Sequence, residues 1–182
     1  MTFPILTSLI ALPVVGAILI LLVGSRDEQR AGLARQLALV ISLVVFGLTL
    51  LLWARFDPAS ADFQFVERTS WIPAFGIEYA VGVDGISMLL VVLTGFLTPI
   101  ALLSSWVSVE KKTREFSMFV LLLEAAMIGV FCSLDLFLFY VFWDAMLIPM
   151  YFLIGIWGYD RRIYAAVKFI LYTMAGSTAL TC

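Results

Sequence analysis

Residues 116–157 read FSMFVLLLEAAMIGVFC, then SLD, then LFLFYVFWDAMLIPMYFLIGIW. Two apolar runs flank a short polar turn, and each run is close to the length that an α-helix needs to cross a bilayer core of about 30 Å. The stretch therefore predicts two antiparallel membrane-spanning helices, Phe116–Cys132 and Leu136–Trp157, joined at Ser133–Asp135.

The composition of the whole chain agrees with this prediction. Of its 182 residues, 63% are hydrophobic and 13% are charged, and the mean hydropathy is +1.09. A soluble domain has roughly 45–50% apolar and about 25% charged residues. The composition therefore excludes a water-soluble enzyme and a disordered chain, and it predicts an integral membrane protein.

Charge and residue types also limit the chemistry. The net charge of −2 offers no basic face to nucleic acid. The sequence has no histidine and only two cysteines, Cys132 and Cys182, which excludes a four-thiolate iron–sulfur site within this chain. No glycine-rich nucleotide-binding motif is present. We expect no metal and no cofactor in this chain, so any redox chemistry belongs to partner subunits.

Six segments predict membrane spans, so the expected fold class is all-α integral membrane. They are Phe3–Val23, Leu37–Trp53, Ile86–Val107, Phe116–Cys132, Leu136–Trp157 and Tyr164–Leu180. The first run lacks the basic region of a signal peptide and is long enough to span, so we interpret it as a retained helix. One long polar stretch, residues 55–84, connects the second and third spans.

Lysine and arginine residues predict the orientation. Connections one, three and five contain Arg26, Arg30, Arg35, Lys111, Lys112, Arg114, Arg161 and Arg162. Connections two and four contain only Arg55 and Arg68. Because basic residues favour the cytoplasmic side, the odd connections are expected in the cytoplasm and the amino terminus outside.

Two carboxyl groups fall inside predicted spans. Glu124 and Asp144 lie about ten residues before and after the same turn, and hence about 15 Å below the outer surface. Burial and mutual repulsion disfavour their charged forms, which suits proton exchange near neutral pH. The alternative is that either acid is a neutral hydrogen-bonding partner of a neighbouring helix. Spacing alone does not show whether the two side chains face each other.

Pro149 and Lys168 each allow two interpretations. Pro149 frees the carbonyl of Ala145, which indicates either a hydrated helix break on an ion path or a packing kink. Lys168 lies about 7–8 Å into the sixth span. It is either a lysine that extends to the interface or a cationic site on a path toward Asp144.

Other residues indicate how the spans begin and end. Asp84 and Asp135 are predicted N-caps of the third and fifth helices. Trp53, Trp106 and Trp157 are expected in an interfacial aromatic belt. Cys132 is interpreted as a small apolar packing residue.

Two long motifs resemble a known family. WIPAFGIEYAVGVDGISMLLVVLTGFLTPI (71–100) and SLDLFLFYVFWDAMLIPMYFLIGIWG (133–158) are similar to membrane subunit M, also called chain 4, of NADH–quinone oxidoreductase, respiratory complex I. The opening FPILTSLIALPVVGAILILL resembles the first helix of that family. The resemblance covers the chain to about Ser177.

The resemblance implies an antiporter-like fold of about fourteen transmembrane helices with inverted repeats. This chain would supply its front part: residues 1–115 as accessory helices one to three with an outer loop at 55–85, and residues 116–182 as the start of the translocation module. Asp144 would take the place of a fifth-helix glutamate that pairs with a lysine on helix seven. Glu124 and Lys168 match an acidic position on helix four and a basic position early in helix six.

The implied function is proton translocation coupled to electron transfer in other subunits. NADH, FMN, iron–sulfur clusters and quinone would be bound by partners, and the chain would contact other membrane-arm subunits and lipid. The expected location is the bacterial inner membrane. The alternatives are a subunit of a multi-subunit cation/proton antiporter, a subunit of a membrane-bound hydrogenase, or an inactive truncated product.

The last residues, STALTC (177–182), differ from the apolar continuation that the family implies. They indicate a fragment or a prematurely stopped reading frame. A fragment alone is expected to be inactive, since it would lack the partner lysines of the later helices.

Overall fold

Six helices and one β-hairpin form the structure, a computed structural model that describes residues 4–23, 28–60, 62–73, 76–109 and 111–181, with side chains at all of these except 23, 28–31 and 178–181. In chain order the elements are α1 (Ile5–Val23), α2 (Glu28–Ala54), β1 (Gln64–Ile72), β2 (Ile77–Val83), α3 (Gly85–Ser108), α4 (Thr113–Cys132), α5 (Leu136–Trp157) and α6 (Arg162–Thr181).

Five helices are long and apolar enough to cross a membrane. These candidate spans are Ile5–Leu22, Gly32–Ala54, Gly85–Ser108, Thr113–Cys132 and Leu136–Trp157. They confirm the first five predicted spans, and the fifth has the predicted bounds. The sixth prediction falls on α6, and its membrane crossing stays a prediction because side chains there are described only to Ser177.

Some residues named in the sequence predictions cannot be compared with the structure. Phe3, Arg26 and Cys182 lie outside the described residues, and Arg30 has no described side chain.

Helix α2 begins well before the predicted span. The helix includes EQRAGLARQ, residues 28–36, ahead of the predicted start at Leu37. Most of these residues have good helix propensity although they are polar. The apolar run therefore marks the part of the helix suited to a membrane, and the helix itself extends beyond it.

The polar stretch between α2 and α3 folds as an antiparallel hairpin. Strands β1 and β2 pair Glu67 with Val81 and Ile72 with Ile77, and Gly76 adopts a φ of +66° before β2, a conformation that glycine tolerates without steric cost. The amino-acid sequence predicts only a loop here. The two-stranded sheet is thus an addition to the all-α class, and it packs onto the bundle where Leu134 N donates to Ala80 O at 2.9 Å.

Two aspartates begin helices as predicted. The Asp84 carboxylate accepts hydrogen bonds from the backbone of Ile86 and Ser87, and the Ser87 hydroxyl accepts one in return from the Asp84 backbone, which completes a capping box. Asp135 accepts from Leu138 N at 3.0 Å. Both N-cap predictions are confirmed.

Helix α4 lies at the centre of the bundle. It packs against α1, α2, α3 and α5, whereas α6 packs against α5. The α4–α5 contact is close at Gly129, where any Cβ would overlap the Phe142 ring.

The buried apolar side chains form two clusters at different heights. The hairpin-side cluster includes Val45, Val91 and Ile128. The far-side cluster includes Ala38, Leu102 and Leu121. Along α2, α3 and α4 the chain passes from one cluster to the other, and the residues between the two clusters carry the candidate site.

Candidate functional site

Glu124 lies in the interior of the bundle, halfway along α4. Its side chain is fully buried, with 0% exposure, and it falls between Leu121 of the far-side cluster and Ile128 of the hairpin-side cluster. Neither carboxyl oxygen has a hydrogen-bond partner among the described residues. An isolated charge buried in this way would be very costly.

A belt of buried hydroxyl groups runs along α2 and α3. Ser42 and Thr49 on α2 and Thr94 and Thr98 on α3 are all buried. Each hydroxyl donates to a carbonyl of its own helix, for example Thr94 to Leu90 O at 2.8 Å and Thr98 to Thr94 O at 2.9 Å. Their donors are therefore occupied, while their oxygen lone pairs remain available to accept.

Thr98 connects this polar belt to the acid. It is the side chain on α3 that interacts with the Glu124 carboxyl group, but its hydroxyl hydrogen is directed to Thr94. Glu124 thus has a polar neighbour without a donor directed at it. These hydroxyl residues are absent from the site predicted from sequence, although Thr94 and Thr98 are four residues apart, a helical spacing that places them on one face.

Asp144 does not lie inside the bundle with Glu124. It lies eight residues after the start of α5, as Glu124 lies eight before the end of α4, so both are about 12 Å from the turn. However, Asp144 is exposed, beside the exposed Val141 and Ile148. Glu124 is directed into the bundle and Asp144 out of it. The structure thus does not bring the two carboxyl groups together on one face.

Pro149 lies inside α5 and does not end it. The helix continues to Trp157, and Pro149 is buried while Ala145 is exposed. The carbonyl of Ala145, which loses its intrahelical donor, lies beside Asp144 on the exposed part of the helix. Both interpretations of Pro149 therefore stay open.

Lys168 lies on the exposed surface of α6. Its Nζ is 5.6 Å from the ring centroids of both Tyr164 and Tyr172, distances within the range of cation–π attraction. The tyrosines are four residues before and after the lysine, a spacing visible in the sequence that the sequence analysis did not use.

Glu67 is a polar residue that sequence reasoning missed. Its carboxylate accepts hydrogen bonds from Leu6 N at 2.9 Å and Thr7 N at 3.1 Å, so it caps α1 from the hairpin. The Thr7 hydroxyl also donates to Glu67 and lies 3.0 Å from the Tyr79 hydroxyl. Burial raises the pKa of Tyr79, and the negative charge of Glu67 adds to this effect.

Arg35 caps the carboxyl end of α3, at the end of the bundle opposite the hairpin. Its guanidinium donates to Trp106 O at 2.8 Å, to Val109 O and to the Thr113 hydroxyl at 3.2 Å. It also lies 5.8 Å from the Trp106 ring centroid. A cation is favourable at the carboxyl end of α3, where carbonyl groups lack donors. From sequence, Arg35 indicates only the orientation of the chain.

These features define a class of protein: a polytopic membrane protein with a carboxyl group buried in the middle of its helix bundle. Among the residues with described positions, no group of three or more histidine, cysteine, aspartate or glutamate side chains could hold a metal ion.

Comparison with known families identifies the family within this class. Residues 10–133 match the family model of the amino terminus of NADH-ubiquinone oxidoreductase chain 4. Residues 133–182 match the transmembrane family of NADH:quinone oxidoreductases and Mrp antiporters. The chain therefore belongs to the NADH–quinone oxidoreductase subunit M/chain 4 family.

Individual relatives support this family assignment. NADH-quinone oxidoreductase subunit M of Rhodobacter capsulatus is 49% identical over 177 residues, which are 96% of this chain and 34% of that protein. Chain 4 of the NADH-ubiquinone oxidoreductase of Arabidopsis thaliana is 44% identical over 173 residues, covering 94% of this chain and 34% of the relative. The chain thus spans about a third of the length of the relatives it matches.

Solved structures show the same fold. A chain of respiratory complex I from Thermus thermophilus superposes with a TM-score of 0.79 at 28% identity, over 94% of this chain and 33% of that one. The Mrp complex from Dietzia gives a TM-score of 0.76 at 20% identity, over 94% of this chain and 18% of the other, a likeness that shows the fold alone.

Proposed function

We propose that this chain forms part of a proton-translocating membrane-arm subunit of NADH:quinone oxidoreductase. It would transfer protons through carboxyl groups in the middle of the membrane, while electron transfer takes place in other subunits that bind NADH, FMN, iron–sulfur clusters and quinone. The observation that carries the proposal is Glu124, a buried acid without a hydrogen-bond partner among the described residues. An ionisable group inside a membrane span is costly and is generally retained for function.

In this proposal Glu124 holds a proton inside the bundle, and Asp144 exchanges protons on the exposed side of α5. The freed Ala145 carbonyl next to Pro149 would order water beside Asp144, and Lys168 would supply positive charge on the same path. Residues 116–182 would begin the translocation module, and residues 1–115, with the outer loop 55–85, would form its accessory helices.

The proposed location is the bacterial inner membrane, with the amino terminus and the hairpin outside. Helix direction supports this orientation, because Arg35, Lys111, Lys112 and Arg162 all lie at the end of the bundle opposite the hairpin. Basic residues favour the cytoplasmic side.

The proposal is tested in membranes that contain the full-length reading frame carrying this sequence, assembled with its partner subunits. Asp144→Asn and Glu124→Gln remove the titratable proton and keep the shape of the side chain. We expect NADH-driven proton uptake per NADH oxidised to fall at least severalfold in Asp144→Asn. Normal uptake in both variants would show that neither acid carries protons.

Matched controls use acids of the same types outside the membrane interior. Asp160→Asn lies beyond α5 and Glu115→Gln in the first turn of α4. Both are expected to keep normal proton uptake. If proton uptake falls in the controls as well, the cause is a defect in assembly. The amount of assembled complex is therefore measured separately for each variant.

A further inference from the structure

A cavity of about 570 Å³ opens at the end of the bundle opposite the hairpin. Its described lining includes Lys111, Lys112 and Arg162, and no carboxylate residue among those described. Its other lining residues include Ser108 and the apolar or aromatic side chains Ile156 and Trp157. The volume is within the range of small-ligand sites, roughly 300–1,000 Å³.

Two hydrogen bonds shape this cavity. The Trp157 indole donates Nε1–H to Lys111 O at 2.9 Å, which joins the end of α5 to the connection between α3 and α4. The Arg162 guanidinium donates to Ile156 O at 2.9 Å, which holds that cation at the cavity wall. Basic residues of two separate connections therefore line one space.

The cavity also lies at the level expected for lipid headgroups. Trp157 is the last residue of one candidate span, and Ser108, another lining residue, is the last residue of a second. Tryptophan is enriched at membrane–water interfaces. The cavity thus combines a cationic rim with an apolar wall that continues into the membrane region.

We propose that this cavity binds the phosphate headgroup of an anionic phospholipid from the adjoining leaflet. Basic pockets between membrane helices on the cytoplasmic side suit anionic headgroups, and each lysine or arginine near the surface strengthens the attraction. The phosphodiester would lie among the three cations, and one acyl chain would follow the apolar surface of α5. This inference rests on the placement of the chain in a membrane and not on proton transfer.

The experiment uses the protein purified in its own assembly, depleted of lipid in mild detergent. It is titrated with phosphatidylglycerol or phosphatidylcholine, and bound lipid is counted by native mass spectrometry. We expect tighter binding of phosphatidylglycerol, weakened about fivefold in Lys112→Gln and further in Lys111→Gln/Lys112→Gln. Lys112→Arg keeps the charge and is expected to keep the affinity.

The matched control is Arg161→Gln, which removes one charge from the same end of the molecule; Arg161 is not part of the described lining of the cavity and lines a neighbouring surface hollow that shares Arg162 with it. It is expected to bind phosphatidylglycerol as the unchanged protein does. Three results would overturn the proposal: equal binding of the two lipids, equal effects of Lys112→Gln and Arg161→Gln, or displacement of phosphatidylglycerol by millimolar inorganic phosphate.

Discussion

The Glu67 carboxylate on β1 lies 3.1 Å from the backbone nitrogen of Thr7 on α1 and also accepts a hydrogen bond from the Thr7 hydroxyl. The first backbone N–H groups of a helix have no intrahelical partner, and an anion there is favourable. Because the Thr7 hydrogen is directed to Glu67, the Tyr79 hydroxyl donates to Thr7 Oγ1. The hairpin and the first helix are thereby held together by one carboxylate.

Replacing Glu67 with glutamine is therefore expected to loosen the hairpin. The glutamine amide cannot accept the same set of hydrogen bonds, and hydrogen bonds to a charged group contribute about 1.5–3 kcal/mol. We expect a lower melting temperature and faster tryptic cleavage at Arg68, measured on the detergent-solubilised protein. Glu78→Gln, an exposed acid on β2, is the control. Equal changes in melting temperature and cleavage rate in the two variants would show that the hydrogen bonds of Glu67 do not stabilise the hairpin.

Asp84 predicts a dependence of stability on acid pH. Hydrogen bonds from the Ser87 backbone and side chain hold the pKa of Asp84 below its ordinary value. A carboxylate with a lowered folded-state pKa stabilises the protein above its unfolded-state pKa, and this contribution is lost as the pH falls through the folded-state pKa. The stabilisation is thus full at neutral pH and declines below about pH 4.

The measurement compares unfolding free energies from pH 7 to pH 3. Asparagine caps helices without titrating, so Asp84→Asn should reduce the loss of stability over this range. Asp84→Ala should cost about 1 kcal/mol at pH 7. Asp160→Asn, at an exposed position, should leave the pH profile unchanged. A wild-type profile retained in Asp84→Asn would mean that other groups cause the acid sensitivity.

Local sequence was enough to predict the first five spans and two of the N-caps. Asp84 and Asp135 act on backbone groups two or three residues away, and apolar runs suited to a bilayer are continuous in the sequence. The two acids were identified for a similar reason, since a charge inside an apolar run is visible without any tertiary information. The candidate site could be named in this way, but its arrangement could not.

The rotation of each helix depends on packing between elements, and no local pattern encodes it. Gly129 on α4 leaves room for the Phe142 ring of α5, and this contact places Asp144 on the exposed part of α5. Glu67 and Arg35 likewise act on residues 60 or more positions away in the chain. Their charges are ordinary in the sequence, and only the fold shows that each completes the end of another helix.

Arg35 is expected to stabilise the junction of α3 and α4. The guanidinium fork reaches three acceptors on that junction, whereas a lysine ammonium lacks the planar geometry to reach all of them. Arg35→Lys should therefore lower the unfolding free energy by about 1–3 kcal/mol, measured by chemical denaturation in mixed micelles. Gln36→Ala, at the exposed neighbouring position, is the control. If Arg35→Lys is as stable as Gln36→Ala, the hydrogen bonds of Arg35 do not stabilise this junction.

Gly129 is expected to tolerate no side chain. Any Cβ there overlaps the Phe142 ring, and overpacking of a tight interface costs about 1–3 kcal/mol. Gly129→Ala should lower the melting temperature, and Phe142→Leu in the same chain should restore part of the loss. Gly47→Ala has open space around the new methyl group and should be neutral or slightly stabilising. If Gly129→Ala behaves like Gly47→Ala, the helices do not approach as closely as described.

Glu124 offers a prediction in which stability and function change in opposite directions. Its carboxyl oxygens are buried without hydrogen-bond partners among the described residues, so the side chain costs stability where it lies. Methionine has a similar volume and no unpaired polar atom. Glu124→Met should therefore raise the melting temperature of the solubilised protein, whereas Glu115→Met, at the end of the same helix, should leave it nearly unchanged.

If Glu124 also carries protons, the same stabilised variant should translocate fewer of them per NADH oxidised. A gain in stability together with a loss of translocation cannot come from misfolding, because a misfolded protein would lose both. A gain in stability with normal translocation would show that Glu124 is dispensable, and the relay would then have to proceed without it. A fall in both would mean that the carboxyl group makes stabilising contacts in the assembled protein, although its oxygens have no hydrogen-bond partner among the described residues.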